Sequence, residues 1–310
     1  YNKPLPYFSQ AIMHAINFIK ALSMRNTMKF SLNAKNAPQS HTCFYSKKSG
    51  GKKLQFCSCS KDSSKKEIQS LFDNETLSAS FGETLFFRSS DLGHELYLGL
   101  DDGKMDAEKV RVLGAKIYKK LKSENITKIK ISLDAIPFRD KSILIGALTE
   151  GFLMSSYKFT TFKEKPKKES EPIEIFYTVK KTSAALKKAL ADSEIIGKGV
   201  NFTRWLGDCP GNFMTPSQLA EEAKSAAKGT ALKVTVWNKA KIAKEKMDSL
   251  IGVSNGSDEE PRFIIMEYKG AAASKKPVCF VGKGLTFDCG GISIKPSAGM
   301  EEMKFDMCGG

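Results

Sequence analysis

The sequence predicts an α/β protein: an N-terminal α/β domain with a mixed sheet, joined by a long helix to a second α/β unit that is incomplete. Three observations predict it. Short strand-like runs alternate with runs of helical period, once between His94 and Val179 and again between Thr215 and Gly284. A long stretch of helical character, about Ser183 to Leu206, lies between the two series. The chain has 310 residues, of which 41% are hydrophobic and 27% charged, enough material for two cores.

Taken in order, residues 1–75 predict a basic, disordered leader or transit-like arm. Residues 1–61 contain no Asp or Glu, and Tyr7–Ser23 has Phe8, Ile12, Ile16 and Ile19 at helical spacing. "SKKSGGKK" (Ser46–Lys53) and "CSKDSSKKE" (Cys59–Glu67) have the composition of linkers. Residues 76–180 predict the first domain. "HELYLGL" (His94–Leu100) alternates as a strand. Asp106–Glu124 carries Val110, Leu113, Ile117 and Leu121 on one helical face, with Asp106 as N-cap. "KIKISLD" (Lys128–Asp134) is a strand, Arg139–Phe159 an apolar helix and "IEIFYTV" (Ile173–Val179) a strand.

Residues 181–310 predict the second unit. Its long first helix is entered through Thr182 and stops at the Gly- and Pro-containing "GDCPGN" (Gly207–Asn212). Thr215 caps the next helix, with Pro216 in its first turn. Then follow a strand at Ala231–Asn238, a helix at Lys239–Leu250, and strands at Arg262–Gly270 and "PVCFVGKG" (Pro277–Gly284).

Charge and cysteine content narrow the function. The formal net charge is +15, but residues 1–70 hold twelve Lys or Arg against Asp62 and Glu67, so +10 of it belongs to that quarter. A local polybasic stretch is more often solvated than sequence-reading. Seven cysteines at irregular spacing, with Cys57 and Cys59 as CxC, predict free thiols in a reducing compartment. Three histidines, His14, His41 and His94, argue against His-rich metal sites. No apolar run reaches membrane-spanning length, since Tyr7–Met24 is interrupted by His14 and Lys20.

The chemistry concentrates in "VGKGLTFDCGGISIKPSAGMEEMKFDMCGG" (Val281–Gly310). Lys283 follows a strand-like run, at the end of a strand where α/β sheets place ligands. Asp288, Lys295 and Asp306 follow, each close to apolar residues and glycines. Ion pairs on loops would account for the spacing. Buried charges would instead require partners or a metal, and carboxylates are good ligands for divalent ions.

This stretch resembles the signature of the leucyl aminopeptidase family, the cytosol aminopeptidases with two metals per site. Lysine, aspartate five on, lysine seven on and aspartate eleven on is the family's spacing. "NFTRWLGDCPGNFMTPSQLAEEA" (Asn201–Ala223) and "GVSNGSDEEPRFIIMEYKG" (Gly252–Gly270) resemble further family blocks, and residues from about Gly82 to Val179 resemble its N-terminal domain. The resemblance implies a metal-dependent exopeptidase that binds two divalent ions, zinc or manganese, with magnesium as a further choice. It implies Lys283 as a neutral lysine ligand, Asp288 as a bridging carboxylate, Asp306 as a further ligand and Lys295 as the non-ligand catalytic lysine. Substrates would be peptides with a free N-terminus, and the assembly a homo-hexamer in the cytoplasm, or in mitochondria if residues 1–61 act as a transit peptide.

Family members carry a later block supplying an aspartate, a glutamate and an arginine, and no such block occurs in this sequence. The expectation is a fragment cut at both ends that folds poorly and is inactive alone. Cys289 and Cys308 are expected to pack without ligating, and Met300 and Met303 to fill core, Met303 above all, or to line an apolar wall. Two other readings are open: nucleic-acid binding through the basic arm, and a catalytically dead structural relative. No membrane partner is expected.

Overall fold

The structure is a computed structural model that describes residues 28–48, 53–58, 60–88, 93–163, 171–272 and 274–310. The proposed helix at Tyr7–Ser23 and Cys59 lie outside the described residues. Two compact units divide near Gly197.

The first unit is a mixed seven-stranded sheet. Its strands are β1 (Met28–Leu32), β2 (His41–Lys47), β3 (Leu54–Phe56), β4 (Thr84–Phe87), β5 (Glu95–Gly99), β6 (Lys128–Ser132) and β7 (Ile173–Thr178). Their order is β1-β7-β6-β2-β5-β4, with β3 beside β2. β1, β7, β6, β2 and β5 run parallel, while β4 and β3 are antiparallel to their neighbours. Helices α1 (Asp62–Asp73), α2 (Ala107–Ser123), α3 (Lys141–Ser156) and the start of α4 (Ala184–Asp208) complete the unit.

Strand alternation sorts the core into two layers. Phe44, Leu96 and Leu98 join Val110, Leu113 and Ile117 of α2, Leu144 and Leu148 of α3, and Leu186 and Leu190 of α4. Cys43, Tyr45 and Tyr97 point the other way, onto Ile68 of α1. α2 and α3 cross backbone to backbone: a Cβ on Gly114 would lie 2.4 Å from the Leu148 carbonyl oxygen, and one on Gly151 only 2.0 Å from that of Arg111. Arg111 also reaches across to Glu150 at 2.9 Å. Caps start the helices as their sequences predict. Asp106 accepts from the Lys109 amide, and Asp140 from those of Ser142 and Ile143.

The described residues of 28–75 do not form the disordered arm expected of them. They supply β1, β2, β3 and α1, with β2 in the middle of the sheet. The physical reason is visible at Glu95, a carboxylate only 2% exposed. Ser64 of α1 donates to it at 2.7 Å, Lys61 lies 3.3 Å away and His41 of β2 3.6 Å away. Part of the basic charge of this stretch thus neutralises a buried acid and ties α1 to the sheet.

In the second unit α4 ends, α5 (Pro216–Ala227) follows, and β8 (Leu232–Trp237) pairs antiparallel with β9 (Phe263–Tyr268). Thr215 caps α5 as expected, accepting from Gln218. Three expectations are corrected. Ser183 rather than Thr182 starts α4, its hydroxyl accepting from the Leu186 amide at 3.1 Å. The helix foreseen over Lys239–Leu250 is two, α6 (Lys239–Lys244) and α7 (Asp248–Ser254), because Lys246 between them turns to a left-handed φ of 58°. Pro277–Gly284 forms no strand, since no described segment pairs with it, and Val278, Phe280 and Val281 stand 72%, 78% and 93% exposed. No helix among the described residues is long and apolar enough to cross a membrane.

Candidate metal centre

The charged residues singled out in the closing stretch come together in the second unit. Lys283 sits in the extended run after Val281, and its backbone is pressed against the chain's end. A Cβ on Gly282 would lie 2.5 Å from the Gly309 carbonyl oxygen, so only glycine permits this approach. Asp288 precedes a tight turn at Gly290, φ 94°, where a Cβ would meet the Ser293 carbonyl oxygen at 2.4 Å. That turn brings the Lys295 amide back to the Cys289 carbonyl at 2.9 Å. Asp306 lies on a 3-10 segment, Met300–Gly309, that starts from Gly299 in a left-handed conformation.

The result is a line of alternating charge. Asp306 Oδ2 is 2.6 Å from the Lys283 ammonium, Lys283 is 4.0 Å from Asp288 Oδ2, and Asp288 Oδ2 is 2.9 Å from the Lys295 ammonium. Asp306 Oδ2 is shielded from water and faces the Lys283 ammonium. Asp288 Oδ1 accepts from the Gly290 amide at 3.0 Å.

Of the two readings left open, ion pairs on loops and buried charges, the structure shows the first: the Lys283 side chain is 61% exposed, and Ile292 and Ile294 of the same stretch are exposed too.

The electrostatics follow from this geometry. The Lys295 ammonium, and then the Gly290 amide, hold the Asp288 carboxyl below the usual aspartate range. Contact with Asp306 raises Lys283 above the usual lysine range. A neutral lysine ligand needs the opposite direction. Carboxylates alone favour the ammonium, and a neighbouring dication reverses the sign through like-charge repulsion.

Met303, expected to fill core or to line an apolar wall, instead meets the charged residues. Its sulfur lies 3.3 Å from the Lys295 ammonium, and its carbonyl accepts from the Asp288 amide at 3.4 Å. The spacing of Met303 three residues before Asp306 was the available signal, since 3-10 geometry eclipses such positions. Cys289 is exposed, and Cys308 places its sulfur near Gly207 of α4.

Among the described residues no group of three or more His, Cys, Asp or Glu is arranged to hold a metal. The donor set is instead two carboxylates converging on one amine. The shielded oxygen of Asp306, which faces the Lys283 ammonium, and the ionised Asp288 fit a divalent cation as part of its ligand set.

Comparison with known proteins supports the same stretch. Residues 201–310 match the catalytic domain of the cytosol aminopeptidase family, and residues 47–166 match its N-terminal domain. A probable cytosol aminopeptidase of Bdellovibrio bacteriovorus is 51% identical over 246 residues, covering 77% of this chain and 49% of the relative. One from Burkholderia mallei is 38% identical over 236 residues, covering 74% and 47%. Among solved structures, the bottromycin maturation enzyme BotP in complex with Mn aligns at a TM-score of 0.65 and 21% identity, covering 88% of this chain and 54% of that one. A mutant tomato leucine aminopeptidase aligns at 0.62 and 19%, covering 80% and 51%. These two likenesses speak to the fold. The chain spans about half the length of the curated relatives it matches. With both of its α/β units matched and the lysine–aspartate spacing intact, the chain belongs to the cytosol aminopeptidase family.

Proposed function

We propose that the protein carrying this chain is a metal-dependent aminopeptidase that releases N-terminal residues, leucine among them, from peptides. The observation that carries the reading is the convergence of Lys283, Asp288, Lys295 and Asp306 within one family-matched stretch. Lys283, Asp288 and Asp306 would hold the metal. Two divalent ions, when bound, supply Lewis acidity and hydroxide at neutral pH. Manganese, named for the BotP complex, is the first ion to test, with zinc and magnesium beside it.

The chain's own residues would act as follows. Asp288 is anionic at neutral pH because Lys295 and the Gly290 amide stabilise its charge, so it is ready to ligate. Asp306 offers a shielded carboxylate oxygen that a metal would take over from the Lys283 ammonium. Lys295 is steadied by Asp288 and Met303, and its ammonium would stabilise negative charge on the scissile carbonyl oxygen. These three donors are too few for two ions of about four to six ligands each, so water or other donors complete the shells. A homo-hexamer in the cytoplasm belongs to the same reading, with the family resemblance as its support.

The test uses the full-length protein loaded with manganese or zinc and a chromogenic leucyl amide. Leucine release is expected, and Lys295→Met should lower kcat by about 10²–10³-fold. The 310 residues alone should release none. A loaded full-length protein without activity overturns the reading, and Lys295→Met at wild-type kcat overturns the role of Lys295.

A further inference from the structure

Asp306 sits on an unusual support. The 3-10 segment Met300–Gly309 runs ten residues, whereas such helices seldom exceed about four because their hydrogen bonds are poorly aligned. Something outside it must hold it. Its own geometry shows what. With three residues per turn, positions three apart share a face. Met303 and Asp306 form the face toward the lysines, where Met303 meets Lys295 and Asp306 meets Lys283. Phe305 and Cys308 form a second face, and it lies against the last turn of α4. A Cβ on Gly207 would fall 2.7 Å from the Cys308 sulfur and 3.2 Å from the Phe305 ring. Between these faces Lys304 reaches back, and its ammonium donates to the Asp208 carbonyl oxygen at 2.8 Å while lying 5.1 Å from the centre of the Phe305 ring.

That carbonyl is among the last of α4, where the helix dipole is negative. A lysine ammonium therefore complements the charge of the helix end and anchors the 3-10 segment in the same contact. Gly207 leaves the space that lets the two backbones approach.

We propose that Lys304 and Gly207 are positioning residues for the metal carboxylate: α4 serves as the bench on which Asp306 is set, and Lys304 is the clamp. Neither touches the reacting groups. The inference rests on the aminopeptidase reading, through the role of Asp306 as a ligand. It assigns to the end of α4 a share in metal affinity.

The experiment is metal titration of full-length protein, by calorimetry and by counting ions retained after dialysis. The variants are Lys304→Met, Lys304→Arg and Gly207→Ala, with the apo thermal midpoint measured for each. Lys304→Met should weaken binding of one ion by about 10–100-fold, the usual effect of removing an outer support, with the apo midpoint nearly unchanged. Lys304→Arg keeps a cationic donor and should restore most of the affinity. Gly207→Ala should weaken the same ion. If Gly207→Ala fails to fold, the two lysine variants decide alone. Wild-type affinity in Lys304→Met overturns this inference and leaves the aminopeptidase reading standing. A wild-type protein that binds no divalent ion overturns that reading, and this inference with it.

Discussion

Gly151→Ala offers a sharp test of how the first unit is packed. On an isolated helix this change is favourable by about 1 kcal/mol, because alanine is the better helix former. Here a Cβ would stand 2.0 Å from the Arg111 carbonyl oxygen, 2.9 Å from its carbon and 3.2 Å from the Ala115 nitrogen, all backbone atoms of α2. No side chain can swing aside, so α2 must retreat by roughly 1.4 Å to reach ordinary contact, in a core packed at crystal density. The retreat would also loosen the reciprocal seat of Gly114 on Leu148. Overpacking of this kind costs about 1–3 kcal/mol, and rigid backbone on both sides argues for the upper end. Set against the propensity gain, the net loss is about 2 kcal/mol, or about 4–8 °C in midpoint for a unit of this size. Gly146, in the same helix, is the control. A Cβ there meets only Ser193 at 4.0 Å, so Gly146→Ala should stabilise by about 0.5–1 kcal/mol. Thermal and urea unfolding followed by circular dichroism measure both. A Gly151→Ala variant as stable as wild type would refute the backbone crossing.

Two further outcomes follow from buried groups. Tyr45 is 1% exposed and its hydroxyl has no hydrogen-bond partner among the described residues, so Tyr45→Phe should be neutral or stabilise by up to about 1 kcal/mol; a clear drop in urea midpoint would count against this. The Cys209 thiol is pushed up to about 11 by burial, with Glu222 adding to the effect. Little thiolate is then present near neutral pH, and alkylation of Cys209 should rise as pH climbs toward that value. In this chain the exposed Cys279 and Cys289 should therefore be labelled first by iodoacetamide; mass spectrometry showing Cys209 labelled as fast would contradict the burial.

What was legible in the sequence depended on whether the signal was local. Asp106 and Thr215 announced their helices because a cap acts within one turn. β5, β6 and β7 were found because alternation or β-branched content persists over five or six residues. β2 was missed although it lies at the centre of the sheet. Its parallel partners, Glu95–Gly99 and Lys130, are far away in sequence, and its short buried run Thr42–Tyr45 is followed closely by Lys47 and Lys48. Composition averaged over the first seventy residues then hid it. The lysines that produced the basic signal include Lys61, whose acid, Glu95, comes more than thirty residues later. Pro277–Gly284 failed in the opposite sense. Val278, Phe280 and Val281 have strand composition, but a strand exists only where another backbone pairs with it.

The site shows the same division. The spacing of Lys283, Asp288, Lys295 and Asp306 was readable because it is a property of one continuous stretch. Which lysine meets which aspartate was not, since that depends on the turn at Gly290 and on the face of the 3-10 segment. The pairing has a physical consequence. Two carboxylates alone would repel each other across the Lys283 ammonium, 2.6 Å from one and 4.0 Å from the other. Two lysines bring the cluster's formal charge to zero, so these loops can close without any other cation. The same balance sets the condition for ligation: a dication between Asp288 and Asp306 must compete with the Lys283 ammonium for the same oxygens. The lysine that completes the cluster in this form is thus the group whose proton must leave before its nitrogen can become a ligand.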